Sequence, residues 1–95
     1  MNIQTVGAKV SAMYSHNDNP IPNQITIRTS EGVFFQSYDS IIAFQGNDGN
    51  VLLDEKYWNW SKTTNKYRNM FLDEKLEDTR RKIDSGVYKL VNLNP

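Results

Sequence analysis

The residues from Lys56 to Arg68 concentrate the side chains best suited to recognition chemistry. This segment holds four cations (Lys56, Lys62, Lys66, Arg68) and four aromatics (Tyr57, Trp58, Trp60, Tyr67), and no acid falls between Lys56 and Asp73. Aromatic rings stack on nucleobases while cations meet phosphates, so the interleaving suits a single-stranded nucleic acid. Aromatics and Arg are also the favoured anchors of protein interfaces. The opposing reading is structural: Trp58 or Trp60 anchors a helix to a sheet and the lysines are simply solvated. Both hold together if Tyr57 or Trp60 is exposed and the other tryptophan is buried. The candidate contact set is therefore Lys56, Tyr57, Trp60, Lys62, Lys66 and Arg68.

Other chemistry finds less support. Glu74, Glu77 and Asp78 share a helical face and could offer oxygen ligands to a hard cation, but the nearby Lys75, Arg80 and Arg81 make ion pairing on a solvated face the better reading. Asp54 and Glu55 are adjacent, so on a strand they point to opposite faces, which is poor geometry for paired acid–base work. His16 is the only histidine, and there is no cysteine. A metal site of histidines and thiolates is thereby excluded, as are disulfides and a cysteine nucleophile. No phosphate-binding loop, dinucleotide fingerprint or nucleophile elbow occurs; Gly46 and Gly49 match only a hairpin. The expectation is a protein without enzymatic activity, cofactor or metal.

Composition bounds what can carry the site. A chain of 95 residues has room for one domain and one core, here expected over 1–95. Its aromatic fraction of 12% supplies much core area per residue. Missing cysteines fit a reducing compartment, and no apolar run approaches a membrane span or a signal sequence, so the chain reads as cytoplasmic. The net charge of zero is unevenly divided: residues 1–55 carry two cations against six acids, and residues 56–95 carry nine against five. That balance argues against a coat of one sign, while leaving room for a local patch.

The elements that position these residues follow from periodicity and turn chemistry. Val6, Ala8, Val10, Ala12 and Tyr14 alternate with Thr5, Gly7, Lys9, Ser11 and Met13, which predicts a strand with the first set facing a core. Ser15 to Asn23 is dense in turn formers and reads as a surface loop. Strands are expected over Ile25–Arg28, Val33–Tyr38, Ile41–Phe44 and Val51–Leu53, with turns at Ser30–Gly32 and Gly46–Asn50. Ser61 or Thr63 caps a helix on which Tyr67 and Phe71 share a face, with Met70 beside them. A second helix runs from about Asp73 to Asp84 with Leu76, Thr79 and Ile83 on one side, and Gly86 is placed to end it. Val87–Leu93 forms a further strand. The fold class is thus α+β: an antiparallel sheet of five or six strands, with one or two helices inserted before the last strand and packed on one face.

Several stretches carry a resemblance. Phe35-Gln36-Ser37-Tyr38-Asp39-Ser40-Ile41-Ile42-Ala43, Leu53-Asp54-Glu55-Lys56-Tyr57-Trp58, Ser61-Lys62-Thr63-Thr64, Lys66-Tyr67-Arg68-Asn69, Lys82-Ile83 and Ser85-Gly86-Val87-Tyr88-Lys89-Leu90 occur in consistent order, as does Asn92-Leu93-Asn94 after them. Together they are similar to a family of small proteins of unknown function found mainly in tailed phages and prophages. The resemblance implies an accessory role: binding host machinery, or blocking defences such as CRISPR effectors and restriction systems. It brings no catalytic residues. The leading expectation is a partner among host bacterial proteins, met in the host cytoplasm through the Tyr57–Arg68 segment. A single-stranded nucleic acid is the first alternative. A self-associating virion component, using the Gly46–Asn50 hairpin and an exposed edge strand, is the second.

Overall fold

The computed structural model describes residues 7–95, so Thr5 and Val6, placed by the alternation at the start of the first strand, lie outside the described residues. The elements are β1 (Ala8–Tyr14), β2 (Pro20–Thr29), β3 (Gly32–Ser37), β4 (Ser40–Gly46), β5 (Val51–Asp54), α1 (Lys62–Leu72), α2 (Leu76–Asp84) and β6 (Tyr88–Val91). They form one six-stranded sheet whose spatial order is the chain order. The four pairings from β1 to β5 are antiparallel and made by short turns; β5 and β6 are parallel. Parallel neighbours need a crossover, and α1 with α2 supplies it. The architecture is α+β with both helices before the final strand, and the sheet is mixed because β6 returns by that crossover.

Turn chemistry sets the hairpins. Gly49 takes a left-handed φ of 89° between β4 and β5, as the Asn–Gly-rich sequence predicts. Gly32 pairs with Gly46, and a Cβ on Gly32 would lie 2.3 Å from the Gln45 carbonyl oxygen, so only glycine lets these strands approach. β2 begins earlier than expected, at Pro20, within the segment read as a loop. Proline is tolerated as the first residue of a strand because no ladder donor is required of it there.

The pairing register assigns the faces. Ser11, Thr26, Phe35, Ala43 and Leu53 align across β1 to β5. Phe35, Ala43 and Leu53 are wholly buried, with Ile42, Val51, Leu72 and Tyr88 around them. Helix α1 covers this face: the Phe71 ring stacks on Phe35 at 5.6 Å between centroids, and Tyr67 packs beside it. The expectation for β1 is corrected. Val10 and Tyr14 are 64% and 57% exposed, while Met13, from the alternate set, reaches the core. Period-two patterning separates two faces of a strand but does not say which one the helices cover.

Helix α1 starts at Ser61, whose Oγ accepts from the Thr64 backbone N–H at 3.1 Å. It stops at Asp73, which adopts a left-handed φ of 55°, so α2 begins at Leu76 rather than at Asp73. Glu74 consequently lies between the helices, not on a solvated face. Its carboxylate accepts from Thr79 Oγ1, from Lys82 Nζ at 2.7 Å and from Tyr88 Oη at 2.7 Å. Burial pushes this carboxyl up, but the three donors outweigh that and hold it below its ordinary value. Asp78 does pair with Arg81 on the surface, as expected for that face. Thr79 is wholly buried, with Ile83 packed on the core. Gly86 follows α2 with φ 83° and donates its N–H to Ile83. Among the described residues no helix is long and apolar enough to cross a membrane, and no three acids or histidines group to hold a metal ion.

Candidate functional site

Asp54 ends β5 and turns the chain into the aromatic segment. One carboxylate oxygen accepts from the backbone N–H of Lys56 (3.0 Å) and Tyr57 (2.9 Å), and the other from Leu93 N–H (2.8 Å). Burial raises its pKa, while the backbone donors of Leu93 and Tyr57, the Asn94 side chain and Lys56 N–H together hold it below the ordinary 3.8. Asp54 is therefore a buried turn-builder and Glu55 an exposed neighbour, with no acid–base pairing between them.

The segment then divides its aromatics. Trp58 turns inward and is flanked by two guanidinium groups, Arg68 at 5.6 Å and Arg80 at 5.7 Å from its ring centroid. Arg68 is wholly buried, which overturns its assignment to a contact surface. It donates to the Trp58 carbonyl, to Asn65 Oδ1 at 2.9 Å and to Asn69 Oδ1 at 2.8 Å. Burial lowers its pKa, with Glu74 acting to raise it and Arg80 to lower it. The reason for the inversion is geometric. Arg68 shares a helical face with Thr64 and Leu72, the buried positions of α1, and its planar fork fits the carbonyl and amide acceptors gathered there.

Trp60 turns outward, 59% exposed, with its ring edge-on to Tyr57 at 4.9 Å between centroids. Opposite lies Tyr38, in the β3–β4 turn and 54% exposed. Tyr38 adopts a left-handed φ of 54°, a costly conformation for a bulky side chain. Two hydrogen bonds hold it there: its N–H to the Asn23 carbonyl at 2.8 Å, and the Gln36 side-chain amide to its own carbonyl at 2.8 Å.

These three rings wall a cleft of about 250 Å³. Its polar lining consists of hydroxyls, those of Ser37, Ser40, Ser61 and Thr64, with Ile42 supplying aliphatic surface. Ser37 and Thr64 hydroxyls bond each other at 3.0 Å, joining β3 to α1 beneath the cleft. No carboxylate, imidazole, ammonium or guanidinium lines it. Such an arrangement can hold an aromatic or aliphatic group between rings and offer hydroxyl donors and acceptors to its polar edge.

The candidate contact residues thus separate. Tyr57 and Trp60 meet at the cleft. Lys56 is exposed with its ammonium 5.2 Å from the Tyr57 ring centroid, and Lys62 is exposed at the first position of α1. Lys66 is exposed too, but it lines a different, smaller cleft of about 170 Å³ with His16, Ile21 and Tyr67. Arg68 is inside. Sequence reasoning missed Tyr38, Ser37 and Ser40 as wall residues. The signal available was the Ser37–Ser40 turn, where an aromatic occupies a position that favours glycine or asparagine.

The fold and this cleft define a small α+β domain with an uncharged, aromatic-walled surface site. The chain belongs to a family of unknown function, DUF8033, whose sequence model matches residues 1–86. No curated protein and no solved structure matches it.

Proposed function

We propose that this is a non-catalytic accessory protein of tailed phages that captures a host bacterial protein in the bacterial cytoplasm, with the cleft between Tyr38, Tyr57 and Trp60 as the contact. Blocking a defence system, such as a CRISPR effector, is the role this reading favours. The observation that carries the binding reading is the outward display of Tyr38 and Trp60 on either side of an uncharged hydroxyl-lined cleft, one of them held in a strained backbone conformation. Strain of this kind persists where surrounding structure over-determines it, and it clusters at binding sites. At about 250 Å³ the cleft is smaller than the roughly 300–1,000 Å³ typical of sites for drug-sized ligands. It suits one anchoring side chain of a protein partner, the kind of pocket on which interface energy concentrates.

The test is a tagged pull-down from bacterial lysate after nuclease treatment, comparing the native chain with Trp60→Ala and Lys66→Ala, each checked for an unchanged thermal melt. The expected result is a discrete protein retained by the native chain and by Lys66→Ala, and lost with Trp60→Ala. Equal retention by all three chains would sink the cleft as the contact.

A second reading, single-stranded nucleic acid, is favoured by one observation: Lys56 and Lys62 are exposed on either side of Trp60 in the chain. With Arg68 inside and Lys66 at another cleft, about two phosphate contacts remain, and the logarithmic salt slope would be only about −1.4. Capture that disappears with nuclease, together with a slope of that size, would select this reading.

A further inference from the structure

The face of the sheet opposite the helices carries an apolar surface that the cleft does not use. Register places Val10, Ile27, Phe34, Phe44, Leu52 and Lys89 in one row across all six strands. A neighbouring row holds Ala12, Ile25, Gln36 and Ile41. At the middle, the Phe34 and Phe44 rings meet at 4.5 Å between centroids. Val10 is 64% exposed, the other apolar members are half-buried, and none belongs to the buried core. The shortest extent of the molecule, 23 Å, fits one sheet layer and one helix layer, and among the described residues no third layer covers this face.

We infer that this face is the contact of a symmetric dimer, in which two copies of the chain pack sheet on sheet. Three properties select a second copy as the occupant. The two rows bear no acid, and their only cation is Lys89 at one end, so neither a nucleic acid nor an anionic bilayer finds the charges it needs. Its shape is that of a sheet, and sheet faces pack on sheet faces at about 10 Å with strand directions within roughly 30°. Its size is adequate for a modest dimer. Strands about 4.8 Å apart and two rows of side chains give on the order of 500 Å² per copy, or about 1,000 Å² in total, the lower bound for a specific interface.

Symmetry strengthens the assignment. A two-fold axis parallel to the strands, passing between β3 and β4, sets β1 of one copy opposite β6 of the other. Phe34 of each copy then meets Phe44 of its partner at the centre. The two Lys89 side chains fall at opposite ends, each over the partner's Val10, so no like charges face one another. An interface of this type is isologous and closed, which gives a dimer and no filament.

The test is sedimentation equilibrium of the 95-residue chain over a wide concentration range, with the double variant Ile27→Glu/Leu52→Glu beside it. The expected native behaviour is reversible dimerisation with a dissociation constant on the order of 10 μM, as suits an interface at the small end of the size range. The double variant should weaken it at least about a hundredfold, because the two-fold sets position 27 of each copy over position 52 of the other and the contact would bury four carboxylates with no cation between them. Should that variant fail to fold, Val10→Lys alone, at a largely exposed position, gives the same direction, because each new ammonium would face the partner's Lys89. Trp60→Ala must leave dimerisation unchanged. A native chain that stays monomeric at millimolar concentration would overturn the inference. So would a dimer indifferent to these variants when folded, since its contact would then lie elsewhere.

Discussion

Replacing Arg68 by alanine separates an interior role from a surface role with a single number. The guanidinium is wholly buried and serves three acceptors: the Trp58 carbonyl and the side-chain oxygens of Asn65 and Asn69. A hydrogen bond involving a charged group is worth about 1.5–3 kcal/mol, and the three share one donor group, so their losses do not add. The removed stem also leaves a cavity beneath Trp58. Against these stands the relief of a charge held out of water. The net expectation for Arg68→Ala is a loss of about 3–4 kcal/mol. For a domain of this size that lowers the melting temperature by roughly 15–25 °C. Arg68→Met keeps much of the stem and removes the buried charge, so it should cost about half as much. Urea unfolding followed by tryptophan fluorescence and by circular dichroism measures both variants. An Arg68→Ala protein within about 0.5 kcal/mol of the native chain, as a surface substitution would be, refutes the burial and returns Arg68 to the candidate contact face.

Two further outcomes are expected. Asp54→Asn should cost about 1–3 kcal/mol near neutral pH, since an amide cannot accept as the carboxylate does from Lys56, Tyr57 and Leu93. The Asp54 pKa is lowered in the folded state, so its contribution is fully present above the ordinary value of 3.8 and is lost as pH falls below that and through the lower folded value; urea titrations of native and variant chains should therefore converge in strong acid and diverge above 3.8. Tyr38→Gly should raise stability by about 0.5–1 kcal/mol by releasing the left-handed backbone, as thermal melts would show, while weakening partner capture in the pull-down. Tyr38→Gly that lowers stability would show that the ring contributes more to the fold than its backbone costs.

Much of this arrangement was legible in the residues, and the exceptions have physical causes. The Gly46–Asn50 hairpin, the Ser61 cap and the stop at Gly86 are written in local chemistry that no distant contact alters. The segment rich in cations and aromatics is divided in the structure between interior and surface. Trp58 with Arg68 is interior, and Tyr57 with Trp60 is at the surface. An arginine near tryptophans has the same sequence whether the pair stacks inside or outside, because only the register of α1 against β3 decides it. Tyr38 was legible as a residue next to a turn but not as a wall of the cleft. It reaches the cleft through the β3–β4 turn, and nothing near Trp60 in the chain announces it. The buried Gln24 was hidden too: its amide is wholly enclosed and has no partner among the described residues, which no pattern of alternation foretells.

The parallel pairing of β6 has a consequence for synthesis. The ribosome makes β1 to β5 in the order in which they stand in the sheet, so each hairpin can close on the one before it as it emerges. β6 can dock only after residues 55–87 have been made, and Asn94, whose side chain bonds both the N–H and the carbonyl of Ile41, joins positions 53 residues apart. Until then β5 is a bare edge, with unpaired backbone donors and acceptors beside the strand that carries Leu52 and Leu53. Nascent chains stalled in that interval are the species most prone to join one another through β5, and slowed translation across the helical segment should raise the aggregated fraction without any change in the finished protein.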